Sequence, residues 1–181
     1  MEQHSISTPR LRLRTLFPAD CSERYVSWLN QPEINRYLEA RFGPPHTLES
    51  VRNYVSAVAE RSDEHLFGIF LDSGVRHVGN IKVGPISSPH RVGDVGLLIG
   101  ERDCWGRGIA TEAIEAVCRY SFVQLQVRKL SAGMYAPNRG STRAFEKVGW
   151  RHEGIRRDHF LLDDKPCDLV ILGLRPSDLP G

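Results

Sequence analysis

Charged and apolar residues alternate at period two over residues 10–15 (RLRLRT), which predicts a half-buried strand. Pro18-Ala19-Asp20 then opens a helix toward Trp28, and Pro32 breaks or restarts it. A second helix is predicted from Thr47, a good N-cap, to about Arg61, because Val51, Tyr54, Val55 and Val58 share one helical face. The pattern changes at His65. Residues 65–71 form an apolar run, Asp72-Ser73-Gly74 is turn chemistry, and residues 75–83 form a second strand-like run, so a hairpin is expected. A Pro-rich turn from Pro85 to Pro89 leads to a strand over 92–100, whose interior glycines Gly93 and Gly96 point to a bulge or a close approach.

From Gly106 to about Gln124, the residues Ala110, Ala113, Ile114, Val117, Cys118 and Ser121 recur at helical spacing, and only small or apolar groups occupy that face. Residues 129–136 read as a strand. Residues 138–148 read as a short helix capped by Asn138 and stopped by Gly149. A last hairpin, 151–162 with 167–174, turns across Asp163-Asp164. This order predicts an α/β (α+β) fold, a twisted mixed sheet flanked by helices. At 181 residues the chain fits one domain, 1–181, with a core over about 10–174 and short polar tails.

Charge narrows the function classes. The 24 Lys and Arg are interleaved with 22 Asp and Glu, for a net +2, so no basic stripe marks a nucleic-acid binder. Cys21, Cys104, Cys118 and Cys167 lack the spacing of a zinc site and are expected to be reduced thiols, with no metal. The N-terminal stretch has no apolar core of the signal-peptide kind, and no segment approaches the ~18 apolar residues of a membrane span. A cytoplasmic protein is expected, with neither membrane nor nucleic acid as partner.

The segment DCWGRGIATEAI, residues 103–114, sets Gly106, Gly108 and Ala110 between a strand and a long helix. Unpaired amides and the helix dipole at such a turn suit phosphate or pyrophosphate. A dinucleotide fingerprint would need Gly or Ala at Thr111 and an acidic residue ~20 positions on, where Arg128 and Lys129 stand. The nucleotide-triphosphate loop is absent as well. A tight turn shaped by glycines alone remains the other reading.

With that element order, Trp105-Gly106-Arg107-Gly108-Ile109-Ala110 resembles the Q/R-x-x-G-x-G/A loop of the GCN5-related N-acetyltransferases, with Trp105 in place of the usual Gln or Arg. APNRGSTRAFEKVGW, residues 136–150, is similar to the N-x-x-S segment of the branch that acetylates ribosomal-protein N-termini. The resemblance spans roughly 10–174 and implies acetyl-coenzyme A as acyl donor and a primary amine as acceptor. It further implies two splayed parallel strands, 92–100 and 129–136, that receive pantetheine, and a backbone N–H near Leu98 or Ile99 that polarises the thioester. Trp105 to Thr111 would cradle the pyrophosphate, Asn138 would hydrogen-bond the pantetheine arm, and Ser141 would lie near the sulfur.

In many relatives a Tyr of the last helix protonates the thiolate. Phe145 holds that cofactor-side position here, and the resemblance to the ribosomal-protein branch implies Ser141 in the acid role, with a structural Ser as the other reading. Candidates for the base are His159, Asp158 and Glu101. The acceptor site would draw on Trp28, Asn30, Asn35, Arg36, Tyr37, Asn80 and Arg157, a mixture suited to a nucleotide-linked amino sugar or a peptide N-terminus; core packing is the alternative for Trp28 and Tyr37. A non-catalytic coenzyme A sensor is the competing function, and a homodimer is compatible with the family.

Overall fold

The structure is a computed structural model that describes residues 4–71 and 74–180. Chain order gives β1 (Ser5–Ser7), β2 (Arg12–Thr15), α1 (Glu23–Asn30), α2 (Pro32–Asn35), α3 (Leu48–Ala59), β3 (His65–Leu71), β4 (Arg76–Ser87) and β5 (Val92–Ile99). There follow α4 (Ile109–Val123), β6 (Lys129–Tyr135), α5 (Arg139–Glu146), β7 (Arg151–Leu162) and β8 (Lys165–Leu174). Among the described residues the strands form one sheet in the order β1-β2-β3-β4-β5-β6-β8-β7. Neighbours are antiparallel except β5 and β6, which run parallel.

That parallel pair governs the molecule. β5 and β6 register only at Val92–Lys129, Gly93–Leu130 and Asp94–Ser131, although the strands continue to Ile99 and Tyr135. Beyond Asp94 and Ser131 they separate, and the helices that follow them, α4 and α5, both begin at the open end. One sheet face is buried under α4 and α5 by Val95, Ile114, Val117, Leu130, Phe145 and Leu172, among others. The other is covered by α1 and α3 through Tyr25, Trp28, Val51, Val55, Leu66 and Phe70.

Local chemistry explains the boundaries. Thr47 and Ser50 form a capping box, Thr47 Oγ1 accepting from the Ser50 amide at 3.1 Å, and Val51, Val55 and Val58 turn inward from α3. Tyr54, placed on that face by periodicity, is exposed. Asp163 and Asp164 both take left-handed φ, the conformation that a two-residue hairpin turn with the twist of its strands requires.

Three expectations change. The helix predicted from Pro18 is a single 3-10 turn, Pro18–Asp20, after which Ser22 caps α1. Asp20 is drawn off by Arg14, at 2.7 Å, and by the Phe17 amide, at 2.9 Å. The turn predicted from Pro85 to Pro89 is strand instead as far as Ser87: a register shift between Val83 and Ile86 absorbs Gly84-Pro85, a place where a missing ladder donor is tolerated. Thus the irregularity near Gly93 sits on β4, not on β5. A strand also precedes residue 10, since Ile6 pairs with Leu13. In the 72–74 turn, Asp72 and Ser73 lie outside the described residues; Gly74 has φ +100°. Among the described residues no helix is long and apolar enough to cross a membrane.

Candidate active site

The open end of the β5–β6 divergence is built by two helix starts. A 3-10 turn, Arg102–Cys104, carries the chain from β5 to Trp105, whose indole N–H donates to the Ile99 carbonyl at 2.8 Å. The side chain in the place of Gln or Arg therefore pins the loop to the end of β5. Gly106 and Gly108 take φ of +71° and +79°, a region in which a Cβ is strained. They turn the backbone so that α4 begins at Ile109 with no side-chain cap. The amides of Ile109, Ala110 and Thr111 have no intrahelical carbonyl to meet, and they lie at the positive end of a 15-residue helix.

The turn between β1 and β2 braces this loop. Arg10 Nη1 donates to the Arg107 carbonyl at 2.8 Å, and its Nε donates to Glu112 at 2.6 Å. Glu112 also accepts from the Arg10 amide and from Thr8. Burial alone would raise the Glu112 pKa; those hydrogen bonds outweigh it and hold the carboxylate below its ordinary range. With Glu112 so engaged, the helix start stays open to another anion. At the second helix start, Asn138 Oδ1 accepts from the Ser141 amide at 3.3 Å, and Ser141 faces the same end in the first turn of α5.

Strand alternation assigns the faces of the diverging strands. Val95, Leu97 and Ile99 of β5 pack with α4, so Asp94, Gly96 and Leu98 face the other way; Ser131, Gly133 and Tyr135 of β6 face with them. Asp94, Gly96 and Gly133 are exposed in the middle of the sheet. Partial burial holds the Asp94 carboxyl above the usual carboxylate range, against the opposing pull of Ser131 and Lys82. At the end of β6, Tyr135 stacks on Phe160 with centroids 4.2 Å apart, and its hydroxyl donates to Glu39 at 2.5 Å. Burial and Glu39 push the Tyr135 phenol up to about 12, so it remains a donor.

Several predicted site residues have other partners. The Glu101 carboxylate, 4% exposed, is held by Arg24, by Arg76 at 3.2 Å and by the Trp28 indole N–H at 2.9 Å. Its pKa is lowered, first by the Arg24 hydrogen bonds, so it carries no spare lone pair for an amine. Trp28, 2% exposed, and Phe145, 1% exposed, belong to the two cores and present no surface to a ligand. Asn30 exchanges hydrogen bonds with the His46 backbone, and Asn35 donates to the Leu29 carbonyl. Arg36 pairs with Asp163 and Tyr37 leans on Tyr135, which closes the α2 region over the β7–β8 hairpin.

Asn80 is 6% exposed and receives the His77 Nε2–H on its Oδ1. Asp158 and His159 occupy an irregular stretch of β7, beside the Tyr135–Phe160 stack; Asp158 has φ +50° and its amide donates to Asp168. Arg157 sits in the same stretch. Asp94 and Tyr135 were not singled out in the sequence. The available signal was their place at the two ends of the predicted pantetheine strands.

A cradle of free amides on a helix start beside a parting pair of parallel strands defines an acyl-coenzyme A dependent transferase. The chain belongs to the GNAT acetyltransferase family: the family model described as "Acetyltransferase (GNAT) domain" matches residues 10–151. Bacillus subtilis YjcK, a probable N-acetyltransferase, is 31% identical over 154 residues, covering 82% of this chain and 84% of YjcK. YoaA of the same organism, an uncharacterized N-acetyltransferase, is 25% identical over 172 residues, 93% of this chain and 95% of YoaA.

Two solved structures share the fold. The Vibrio cholerae spermidine N-acetyltransferase in complex with CoA and spermine has TM-score 0.82 at 20% identity, over 94% of this chain and 98% of that one. Mycobacterium smegmatis RimJ in complex with CoA-disulfide has TM-score 0.82 at 20% identity, over 99% and 89%. The protein is thus an acetyltransferase with acetyl-coenzyme A as cofactor, and the reading as a non-catalytic coenzyme A binder has no support.

Proposed function

We propose that the protein transfers an acetyl group from acetyl-coenzyme A directly to a primary amine held on the exposed face of the diverging strands, in the cytoplasm. The observation that carries this reading is the pairing of the glycine cradle with the β5–β6 separation: one supplies donors for a pyrophosphate, the other supplies unpaired strand backbone for the pantetheine arm. Acetyl-coenzyme A supplies an acyl group activated as a thioester. Residues 105–111 and Asn138 hold it, and one backbone amide, at Leu98 or Ile99, is the donor for its carbonyl oxygen.

An amine attacks only when neutral, so a proton must leave it as the new N–C bond forms and the C–S bond breaks. Asp94 takes that proton through intervening water, since four residues of strand, about 13 Å, separate it from Leu98: it lies on the acceptor face, where the strands part, and no basic side chain binds it within hydrogen-bond distance among the described residues. Ser141 donates to the departing sulfur. His159 and Asp158 border the acceptor mouth beyond Tyr135 and contact the incoming molecule rather than its reacting nitrogen. The acceptor is a small amine, such as a polyamine or a nucleotide-linked amino sugar, or a protein N-terminus in the manner of the RimJ-like branch.

Calorimetric titration with acetyl-coenzyme A, followed by thiol release over a panel of these amines, tests the reading. Tight binding that weakens about tenfold in Arg107→Glu, with release dependent on an amine, is expected. A folded protein that does not bind acetyl-coenzyme A would sink the proposal.

A further inference from the structure

The connection from α1 to α3, residues 31–46, starts on one half of the sheet and lands on the other. Its base is fixed: Asn30 Nδ2 donates to the His46 carbonyl at 2.9 Å, and Asn30 Oδ1 accepts from the His46 amide at 2.8 Å. That base follows α1, whose Trp28 ring lies against Gly100 just past the end of β5. The far side of the loop reaches the β6–β8 half, where Arg36 pairs with Asp163 at 2.5 Å and Arg41 Nη2 donates to the Leu161 carbonyl at 2.7 Å. The loop therefore bridges the β5–β6 gap at its open end, on the acceptor face.

A 3-10 turn of this loop, Glu39–Phe42, sets one carboxylate at the end of β6. Tyr135, the last residue of β6, donates its hydroxyl to Glu39 Oε1 at 2.5 Å. Asp94 and Ser131 are the last ladder pair, and Leu98 and Tyr135 each lie four residues beyond it, so they stand at the same level on opposite sides of the gap. Glu39 is thereby held near the level at which the thioester carbonyl is received. The Tyr135 ring is itself fixed, being buried and stacked on Phe160.

The charge of this carboxylate is unanswered. Glu33 and Asp163 of the same region have arginine partners, Arg102 and Arg36. Glu39 is exposed, accepts from Tyr135 alone and has no cationic side chain within ion-pair distance among the described residues. Arg41, two residues on, is engaged elsewhere: its Nη2 serves Leu161 and, at 3.3 Å, the Tyr135 hydroxyl, and its guanidinium lies over the Phe42 and Tyr135 rings. An aliphatic amine, with a pKa of about 10.4, arrives as a cation. Hydrogen bonds between an ammonium and a carboxylate are among the strong ones.

We propose that Glu39, oriented by Tyr135, receives the acceptor as its ammonium ion and brings the nitrogen to the level of the thioester, before the proton leaves through water toward Asp94. Glu39 thus acts on acceptor binding and Asp94 on proton transfer. This rests on the acetyl-transfer reading above.

The test uses the full chain, saturating acetyl-coenzyme A, and two acceptors, butylamine and a lysine-free peptide with a free N-terminus, each at about pH 7 and 9. Butylamine is an ammonium ion at both, so Glu39→Gln should raise its KM about tenfold at both and leave kcat within about twofold. The peptide amine, with a pKa of about 7.7–8.0, is mostly neutral at the higher pH, where the rise should shrink to about twofold. Added salt should raise the butylamine KM of wild type and not that of the variant. Tyr135→Phe keeps the ring and frees the carboxylate, and should raise the butylamine KM about threefold. Both variants should bind acetyl-coenzyme A within about twofold of wild type. An unchanged KM in Glu39→Gln overturns the proposal, and so does a fall in kcat with loss of the acid limb of the pH–rate profile, which would make Glu39 the base. A wild type that binds acetyl-coenzyme A and acetylates no amine would overturn the reading beneath it.

Discussion

Two carboxylates near the end and the start of β5 carry opposite shifts, and the difference sorts their roles. Asp94 is held above the ordinary Asp range of about 3.9 by partial burial. Its ionisation therefore costs stability progressively as the pH rises from the unfolded value of about 3.9 through the raised folded one, and the loss is complete above the latter. Asp94→Asn should then raise the melting temperature slightly near neutrality while lowering kcat/KM on the order of 100-fold and removing the acid limb of the pH–rate profile. A variant that keeps both the rate and the limb assigns the proton to another group. Glu101 behaves in the reverse sense, because Arg24, Trp28 and Arg76 hold its folded pKa down. Its contribution is full above the unfolded value of about 4.3 and fades as the pH falls through the depressed folded one. Glu101→Gln should cost about 2 kcal/mol at pH 7 in denaturant titrations, and the gap to wild type should narrow toward pH 3. Retention of acetyl transfer by this variant is expected, since the carboxylate is engaged by Arg24, Trp28 and Arg76 at the end of β5.

At the level of elements, α4 shows what a helix start contributes to binding. Gly108 caps it in the left-handed region, so a side chain there is judged by its tolerance of that φ more than by its size. Gly108→Asn should melt higher than Gly108→Ala by a margin of about 1 kcal/mol, and should keep the tighter affinity for acetyl-coenzyme A in calorimetry. Equal losses would mean that the cradle does not depend on this conformation. The glycine loop and α4 were legible in the sequence because spacing and local conformation decide them, and the same holds for α3 with its Thr47 cap. The strand β1 was not: three residues, Ser5–Ser7, carry no period, and only their pairing with β2 makes them a strand. Pro85 misled for the opposite reason, since a local breaker is absorbed by the ladder around it. The acceptor residues were hardest to read. Trp28 and Asn35 have a substrate-binding composition, yet tertiary packing turns them inward, while Asp94 and Gly96 become a surface only because β5 and β6 part beside them.

For the whole molecule, the separation of β5 from β6 divides the sheet into two halves, β1 to β5 and β6 to β8, that are ladder-bonded to each other at three residue pairs. Much of what joins the halves is the core beneath α4 and α5, where Ile114, Val117 and Phe145 pack against Leu130 and Leu172. A ligand that enters the gap and hydrogen-bonds to strand backbone therefore acts as a missing ladder as well as a reactant. Binding to the folded state alone stabilises it by ~2.7 kcal/mol at a hundredfold excess over Kd, which for a chain of this size shifts the melting temperature by about 5–10 °C. The protection should not be uniform. Amides of β5 beyond Asp94 that face β6 should exchange fast without acetyl-coenzyme A and slowly with it, whereas those of β3, paired on both sides by β2 and β4, should change only with global stability. Hydrogen exchange read by mass spectrometry, with and without acetyl-coenzyme A, would resolve the two classes. Uniform protection over both would place the stabilising contacts outside the gap, and with it the pantetheine arm.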